Sequence, residues 1–143
     1  MLTTRILTAA DYDAVRALWE AAGLHIRPGG RDSREAFAHQ IASGCQIVIG
    51  MEDDSRLVGV VLATHDSRRG WINRLAVHPD YRRQGIGTRL VQEAERELKA
   101  RDLPVLCAHI ESWNTASQAL FRSLGYVTTE DVLYFSKRDS EDV

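Results

Sequence analysis

The stretch Trp71–Thr88, WINRLAVHPDYRRQGIGT, limits the fold more than any other part of the chain. Trp71–Val77 is mostly apolar, β-branched or aromatic and is stopped by Pro79, which predicts a strand. After His78–Gln84 come Gly85 and Gly87, and then an amphipathic helical run. Leu90, Val91, Ala94 and Leu98 share one face of it, with Gln92, Glu93, Glu95, Arg96 and Lys99 on the other. A strand feeding a basic glycine loop and then a helix makes an anion site. Unpaired N–H groups at a helix N-terminus point at the ligand, and glycine lets a phosphate come close to the main chain. Arg82 and Arg83 add positive charge beside it. The P-loop pattern needs a Gly-Lys-Ser/Thr ending that the chain lacks, and the dinucleotide fingerprint needs a third glycine where Leu90 stands.

At 143 residues the chain fits one domain, 1–143, able to bury on the order of two-thirds of its unfolded surface. Its net charge of −2 argues against a general nucleic-acid binder. Cys45 and Cys107 each fall in a predicted strand, with neither a CxxC partner nor zinc-like His spacing. Both are expected to be reduced, buried thiols of a cytoplasmic protein, with no metal and no disulfide. No apolar run reaches membrane-spanning length, and the N-terminal residues lack a continuous signal-type apolar stretch. No membrane partner is expected.

In chain order, Arg5–Leu7 is a first strand, and Thr8 with Asp11 has the spacing of a helix cap. Val15, Leu18, Trp19 and Ala22 give that helix an apolar face, and Gly23 ends it. His25–Arg31, HIRPGGR, is a loop, after which Asp32 and Glu35 predict a second cap and a short helix. Gln46–Gly50 and Leu57–Thr64 form a hairpin around Glu52–Ser55, and a turn at Asp66–Gly70 leads into the Trp71 strand. Beyond the long helix, Val105–Ile110 is a strand parallel to Trp71–Val77, because a helical crossover returns the chain in that sense. Asn114–Leu124 is a helix stopped by Gly125. Tyr126–Thr129 and Val132–Ser136 close the sheet, and 137–143 is a frayed charged tail.

Arg82-Arg83-Gln84-Gly85-Ile86-Gly87 resembles the R/Q-x-x-G-x-G/A loop of the GCN5-related N-acetyltransferase (GNAT) superfamily. One helix and one strand later, Asn114–Tyr126 resembles the same superfamily's closing segment, N-x-x-A-x-A-L-Y-x-x-x-G-F. The resemblance extends from Arg5 to Ser136. RPGGRDS and D-x-R-R-G in the opening half look like the small YpeA-type branch. The fold this implies is α/β: a mixed, mostly antiparallel sheet of 6–7 strands with about four helices on both faces.

The implied activity is transfer of an acetyl group from acetyl-CoA to a primary amine, by direct attack in a ternary complex. The strands Trp71–Val77 and Val105–Ile110 would start together and splay. The pantetheine arm would enter the gap and pair near Leu75, Ala76 and Val77, while amides and side chains of Arg82, Arg83, Gln84, Gly85, Ile86, Gly87 and Thr88 take the pyrophosphate. Asn114 and Ser117 would line the cofactor, and Phe121 would lie near the thioester sulfur. A neutral amine needs a proton acceptor. His109 stands five residues before Asn114, where related peptide N-terminal acetyltransferases carry a glutamate, and an imidazole suits that role. A histidine bonding at the sheet end is the other reading, and Glu111 is the next candidate base. His25, Arg27, Arg31 and Asn73 would build the acceptor pocket, with a peptide N-terminus, an amino acid and a polyamine all open. The chain departs from the family at Phe121, where a general-acid tyrosine is usual. Two other functions stay open: a non-catalytic acyl-CoA sensor of the same fold, and an unrelated nucleotide-binding protein. A homodimer is in keeping with the superfamily.

Overall fold

A computed structural model describes residues 1–141; Asp142 and Val143, the end of the tail expected to fray, lie outside the described residues. Five strands form one sheet in sequence order: β1 Leu2–Ile6, β2 Gln46–Asp53, β3 Arg56–His65, β4 Arg69–Val77 and β5 Val105–Cys107. β1 to β4 are antiparallel neighbours, and β5 lies parallel to β4. The β2–β3 turn tightens to Asp54 and Ser55, both at positive φ (48° and 78°), the twist a two-residue hairpin loop needs. At the next turn the Asp66 carboxylate accepts the Arg68 and Arg69 N–H groups at 2.9 and 2.8 Å.

Four helices cover the sheet: α1 Tyr12–Ala21, α2 Arg34–Ala42, α3 Ile86–Lys99 and α4 Thr115–Ser123. The Thr8–Asp11 capping box forms, the Thr8 N–H donating to Asp11 Oδ2 at 2.8 Å, and a single 3-10 turn leads into α1. Ile86, Leu90, Val91, Ala94 and Leu98 of α3 pack with Ile47, Ile49, Val61, Ala63 and Ile72 on one face. Val15, Leu18 and Trp19 of α1 and Phe37 of α2 pack with Val48, Val60, Leu62 and Ala76 on the other. α4 sends Phe121 into the α3-side core.

Several expectations are corrected. The sheet has five strands, not 6–7: among the described residues Tyr126–Thr129 and Val132–Ser136 join no ladder. Their β-branched and aromatic residues gave a strand pattern, but strand propensity only expresses itself against a partner, and Val127, Val132, Leu133 and Phe135 are exposed. Val105–Ile110 keeps its ladder only to Cys107. The cap of α2 is Ser33, whose Oγ accepts the Ala36 N–H at 3.1 Å, because Asp32 is drawn into the core instead. Cys45 is exposed and Cys107 half-buried.

Gly59, opposite Val77 at the end of β4, sets how closely α3 approaches the sheet. A methyl there would stand 2.9 Å from both Ile86 Cγ2 and Leu90 Cδ1, which are fully buried. Gly59→Ala is therefore expected to cost about 1–3 kcal/mol by overpacking, read from the urea midpoint. An unchanged midpoint would mean that the first turn of α3 can move freely off the sheet.

Candidate active site

Between β4 and α3 the chain makes one 3-10 turn, Pro79–Tyr81. His78 Nδ1 accepts the Asp80 N–H at 3.1 Å, and the Tyr81 hydroxyl donates to Asp53 Oδ2 at 2.7 Å, tying the loop to the β2–β3 hairpin. Arg83 follows at φ +63° and Gly85 at φ +75°, a left-handed conformation that costs a glycine nothing. Arg89 is the first residue of α3 whose N–H reaches back to a carbonyl, that of Gly85 at 3.1 Å. The N–H groups of Ile86, Gly87 and Thr88 precede it, and no side chain caps the helix. Arg82, Arg83, Gln84 and Gly85 are exposed around them. Free N–H groups at an exposed helix start, with Arg82 and Arg83 just before it in the chain, are an arrangement suited to an anion.

The two glycines do different work. A Cβ on Gly85 would meet nothing within 4 Å, so that position is fixed by its backbone angle and stays open to a ligand. A Cβ on Gly87 would lie 3.3 Å from Leu120 of α4 and 3.7 Å from Leu75 of β4. Gly87 thus lets α4 close against the start of α3.

β4 and β5 pair only from Arg69–Val105 to Trp71–Cys107; β4 then runs on alone to Val77. On its other edge β4 carries a bulge. Asn73 pairs with Leu62 and Ala76 with Val60, leaving Arg74 and Leu75 opposite Val61, with Arg74 at φ +49°. The extra residue turns Arg74 onto the same face as Asn73, toward α1, while Leu75 joins the α3-side core. The backbone of Leu75, Ala76 and Val77 therefore borders the gap left by β5.

Arg74 was not foreseen, and it organises the face of the sheet under α1. Its guanidinium lies 5.0 Å over the Trp19 ring, donates to Asp32 Oδ2 at 2.8 Å and to the His25 carbonyl at 3.2 Å. Asp32 Oδ2 also accepts the Arg27 N–H at 2.7 Å, and the Asp32 carbonyl accepts the Tyr12 hydroxyl at 2.5 Å. Burial lowers the Arg74 pKa, with the Asp32 charge pulling it back up. The loop 25–31 is thereby pinned to the bulge. The sequence signal was present: an arginine interrupting a strand, and an acid beside a better cap, Ser33.

Of the predicted acceptor residues, His25 and Arg31 are exposed and Arg27 is half-buried, one of its guanidinium nitrogens donating to the Glu141 carbonyl. Arg27 Nε is buried with no hydrogen-bond partner among the described residues. Asn73 Nδ2 donates to Thr64 Oγ1 at 3.0 Å and so is committed to the sheet.

His109 is exposed, its ring centroid 4.6 Å from that of Trp71 and 5.0 Å from that of Tyr134. β5 ends at Cys107, two residues short of His109, and the Trp71 contact places His109 beside the mouth of the gap. Glu111 is exposed, and its carbonyl accepts from Gln118 Nε2 at 3.1 Å. Asn114 Oδ1 caps α4 by accepting the Ser117 N–H at 3.1 Å, leaving its amide to donate elsewhere. Phe121 is only 5% exposed and packs edge-on against Tyr126, centroids 5.0 Å apart. The Tyr126 hydroxyl donates to Glu95 at 2.8 Å, and burial, then that carboxylate, push the phenol above its ordinary pKa. Phe121 thus belongs to the core seam between α3 and α4. Among the described residues no cluster of His, Cys, Asp and Glu side chains could hold a metal ion.

A splayed pair of strands beside an uncapped, glycine-led helix is the geometry expected above, and the comparisons agree with it. The profile described as the acetyltransferase (GNAT) family matches residues 12–126. The chain belongs to this family. Acetyltransferase ECA0875 of Pectobacterium atrosepticum is 31% identical over 138 residues, 96% of each chain. The PaiA N-acetyltransferase of Thermoplasma acidophilum, solved in complex with coenzyme A, shares the fold at TM-score 0.80, with 18% identity and 92% of each chain covered. AAC(6')-Iy, solved with a CoA bisubstrate analogue, aligns at TM-score 0.79 and 18% identity, over 96% of this chain and 99% of that one. As a GNAT member the chain is an acetyl-CoA-dependent N-acetyltransferase.

The Arg74–Asp32 pair yields a stability test. Asp32→Ala leaves a mostly buried guanidinium uncompensated and is expected to cost about 3 kcal/mol or more. Asp32→Ala combined with Arg74→Met should cost less than the two single losses added, since each removes the other's reason for being charged. Additive losses in urea melts would mean the two groups are not coupled.

Proposed function

We propose that the chain acetylates a primary amine carried by a molecule that also bears a carboxylate or phosphate. One observation carries the first half: the gap where β4 outruns β5 opens beside the free N–H groups of Ile86, Gly87 and Thr88. In this reading the pyrophosphate of acetyl-CoA sits on the Arg82–Thr88 amides with Arg82 and Arg83 on its charge. Pantetheine follows the backbone of Leu75, Ala76 and Val77 into the gap, with Asn114 and Ser117 on the far wall and Phe121 supporting that wall from the core. The amine nitrogen attacks the acetyl carbon, the C–S bond breaks, and CoA leaves as thiolate. Main-chain N–H groups of β4 facing the gap polarise the carbonyl and hold its oxyanion. His109, at the mouth of the gap, takes the proton from the amine, with Glu111 as the nearest substitute.

Support for the anionic carrier comes from the α1-side loop. His25, Arg27 and Arg31 lie on the loop held at Asp32, whose carboxylate Arg74 and the Arg27 N–H take directly while the exposed Arg31 stands farther off at 3.9 Å. Such a surface favours amino acids and acidic peptides over polyamines, and it works in a single cytoplasmic domain. A homodimer would cover the outer edge of β5, where Val105 and Trp113 are exposed, and sedimentation would detect it.

Thiol release across amines tests the reading as a whole: amino acids and acidic dipeptides should turn over faster than spermidine, and the reverse order would overturn the carrier assignment. Arg83→Ala should weaken CoA binding by about 1.5–3 kcal/mol, the loss of a hydrogen bond to a charged group. Unchanged calorimetric affinity in the folded variant would place the pyrophosphate elsewhere.

His109→Gln should lower kcat/KM at pH 7 and remove the rising limb of its pH profile. Because the amine's own deprotonation gives a similar limb, acceptors of differing pKa separate the two. A profile identical to that of the parent returns His109 to a packing role.

A further inference from the structure

We infer that Lys137 is an acceptor of this chain's own acetyltransferase activity, its Nζ becoming acetylated in cis. The inference rests on the acetyl-transfer reading above and on where the C-terminal segment lies. The Tyr134 ring lies tilted against His109, centroids 5.0 Å apart, and the Glu141 carbonyl takes a hydrogen bond from Arg27. Residues 135–140 therefore run from the candidate base to the loop proposed to hold the acceptor. Lys137 is three residues from Tyr134, a separation the backbone spans in at most about 11 Å, with a flexible four-carbon stem beyond it. No ion pair in the described structure involves its exposed side chain.

The composition sharpens the point. Of 18 basic Lys and Arg residues only Lys99 and Lys137 are lysines, and a guanidinium is no nucleophile at neutral pH. Lys99 ends α3, about 20 Å along the helix from the glycine loop. Lys137 is the one lysine on the segment whose flanking residues Tyr134 and Glu141 contact His109 and Arg27. In the step, neutral Nζ bonds to the acetyl carbon and the C–S bond breaks. CoA departs as thiolate, and the nitrogen's proton passes to His109 or water. The net products are the Nε-acetyl-lysine, CoA and one proton. Holding the amine beside the thioester replaces a bimolecular encounter with an intramolecular one, so Lys137 should outpace Lys99 by more than about 10-fold.

The purified full chain is incubated with acetyl-CoA and no added amine, and acetylation is followed by intact mass and peptide mapping. One acetyl group at Lys137 is expected, appearing at a rate independent of protein concentration. Lys137→Arg should abolish it, and Arg83→Ala should slow it in step with the loss of turnover on added amines. Equal labelling of Lys99, a rate that climbs with protein concentration, or undiminished labelling in Arg83→Ala overturns the inference. So does an unmodified Lys137 in protein that acetylates added amines. If added amines are also untouched, the proposed transfer fails with it.

Discussion

Every group proposed to meet acetyl-CoA depends on β4 leaving its pairing with β5 after Trp71. A parallel pair held for three residues and then opened is costly unless the rest of β4 is secured by other means. β3 supplies that security along the opposite edge, to the Gly59–Val77 pair. The α3-side core holds Leu75 and Val77, and the α1-side core holds Ala76. Main-chain groups at the gap can thus stay available to a ligand without the strand collapsing onto its neighbour, because packing on both faces carries the stability.

The bulge at Arg74 links this gap to the opposite face. A residue at positive φ in mid-strand is strained, and here a stacked indole, a buried carboxylate and a loop carbonyl hold it. The consequence is positional: the same extra residue that turns Arg74 toward α1 keeps Leu75 on the α3 side. One register shift therefore sets which face Arg74 and which face Leu75 occupy, and it ties loop 25–31 to the backbone beside the gap.

Much of this was legible in the sequence, for reasons that differ by element. The helix faces, the Thr8–Asp11 box and the strand–glycine–helix unit are local patterns, and local patterns survive folding when the tertiary structure agrees with them. Asp32 was misassigned because a cap and a buried ion-pair acid look alike in sequence, and only the approach of Arg74 across the fold separates them. Gly87 fits the phosphate motif, and the space of its missing side chain is also bordered by Leu120, 33 residues further along the chain. The closing strands failed because strand patterns need a partner that composition does not reveal. His109 was singled out by its spacing from Asn114, but its contact with the Trp71 ring depends on the three-residue β4–β5 register, which no local pattern shows.

Phe121 shows why the absence of the family's usual tyrosine need not disable the site. Its ring lies in the α3–α4 seam against Tyr126, so an added hydroxyl would enter the core, where an unpaired one costs roughly 1–3 kcal/mol. The reaction can do without it. The group expelled is a thiolate whose conjugate acid has a pKa of about 8.5, so water can protonate it after departure. Proton demand then falls on the attacking nitrogen, which begins as an ammonium ion in water near neutral pH and must lose protons to form an amide. In the proposed mechanism that demand is met by His109 or Glu111 at the mouth of the gap, and a phenylalanine at 121 is free to serve packing alone.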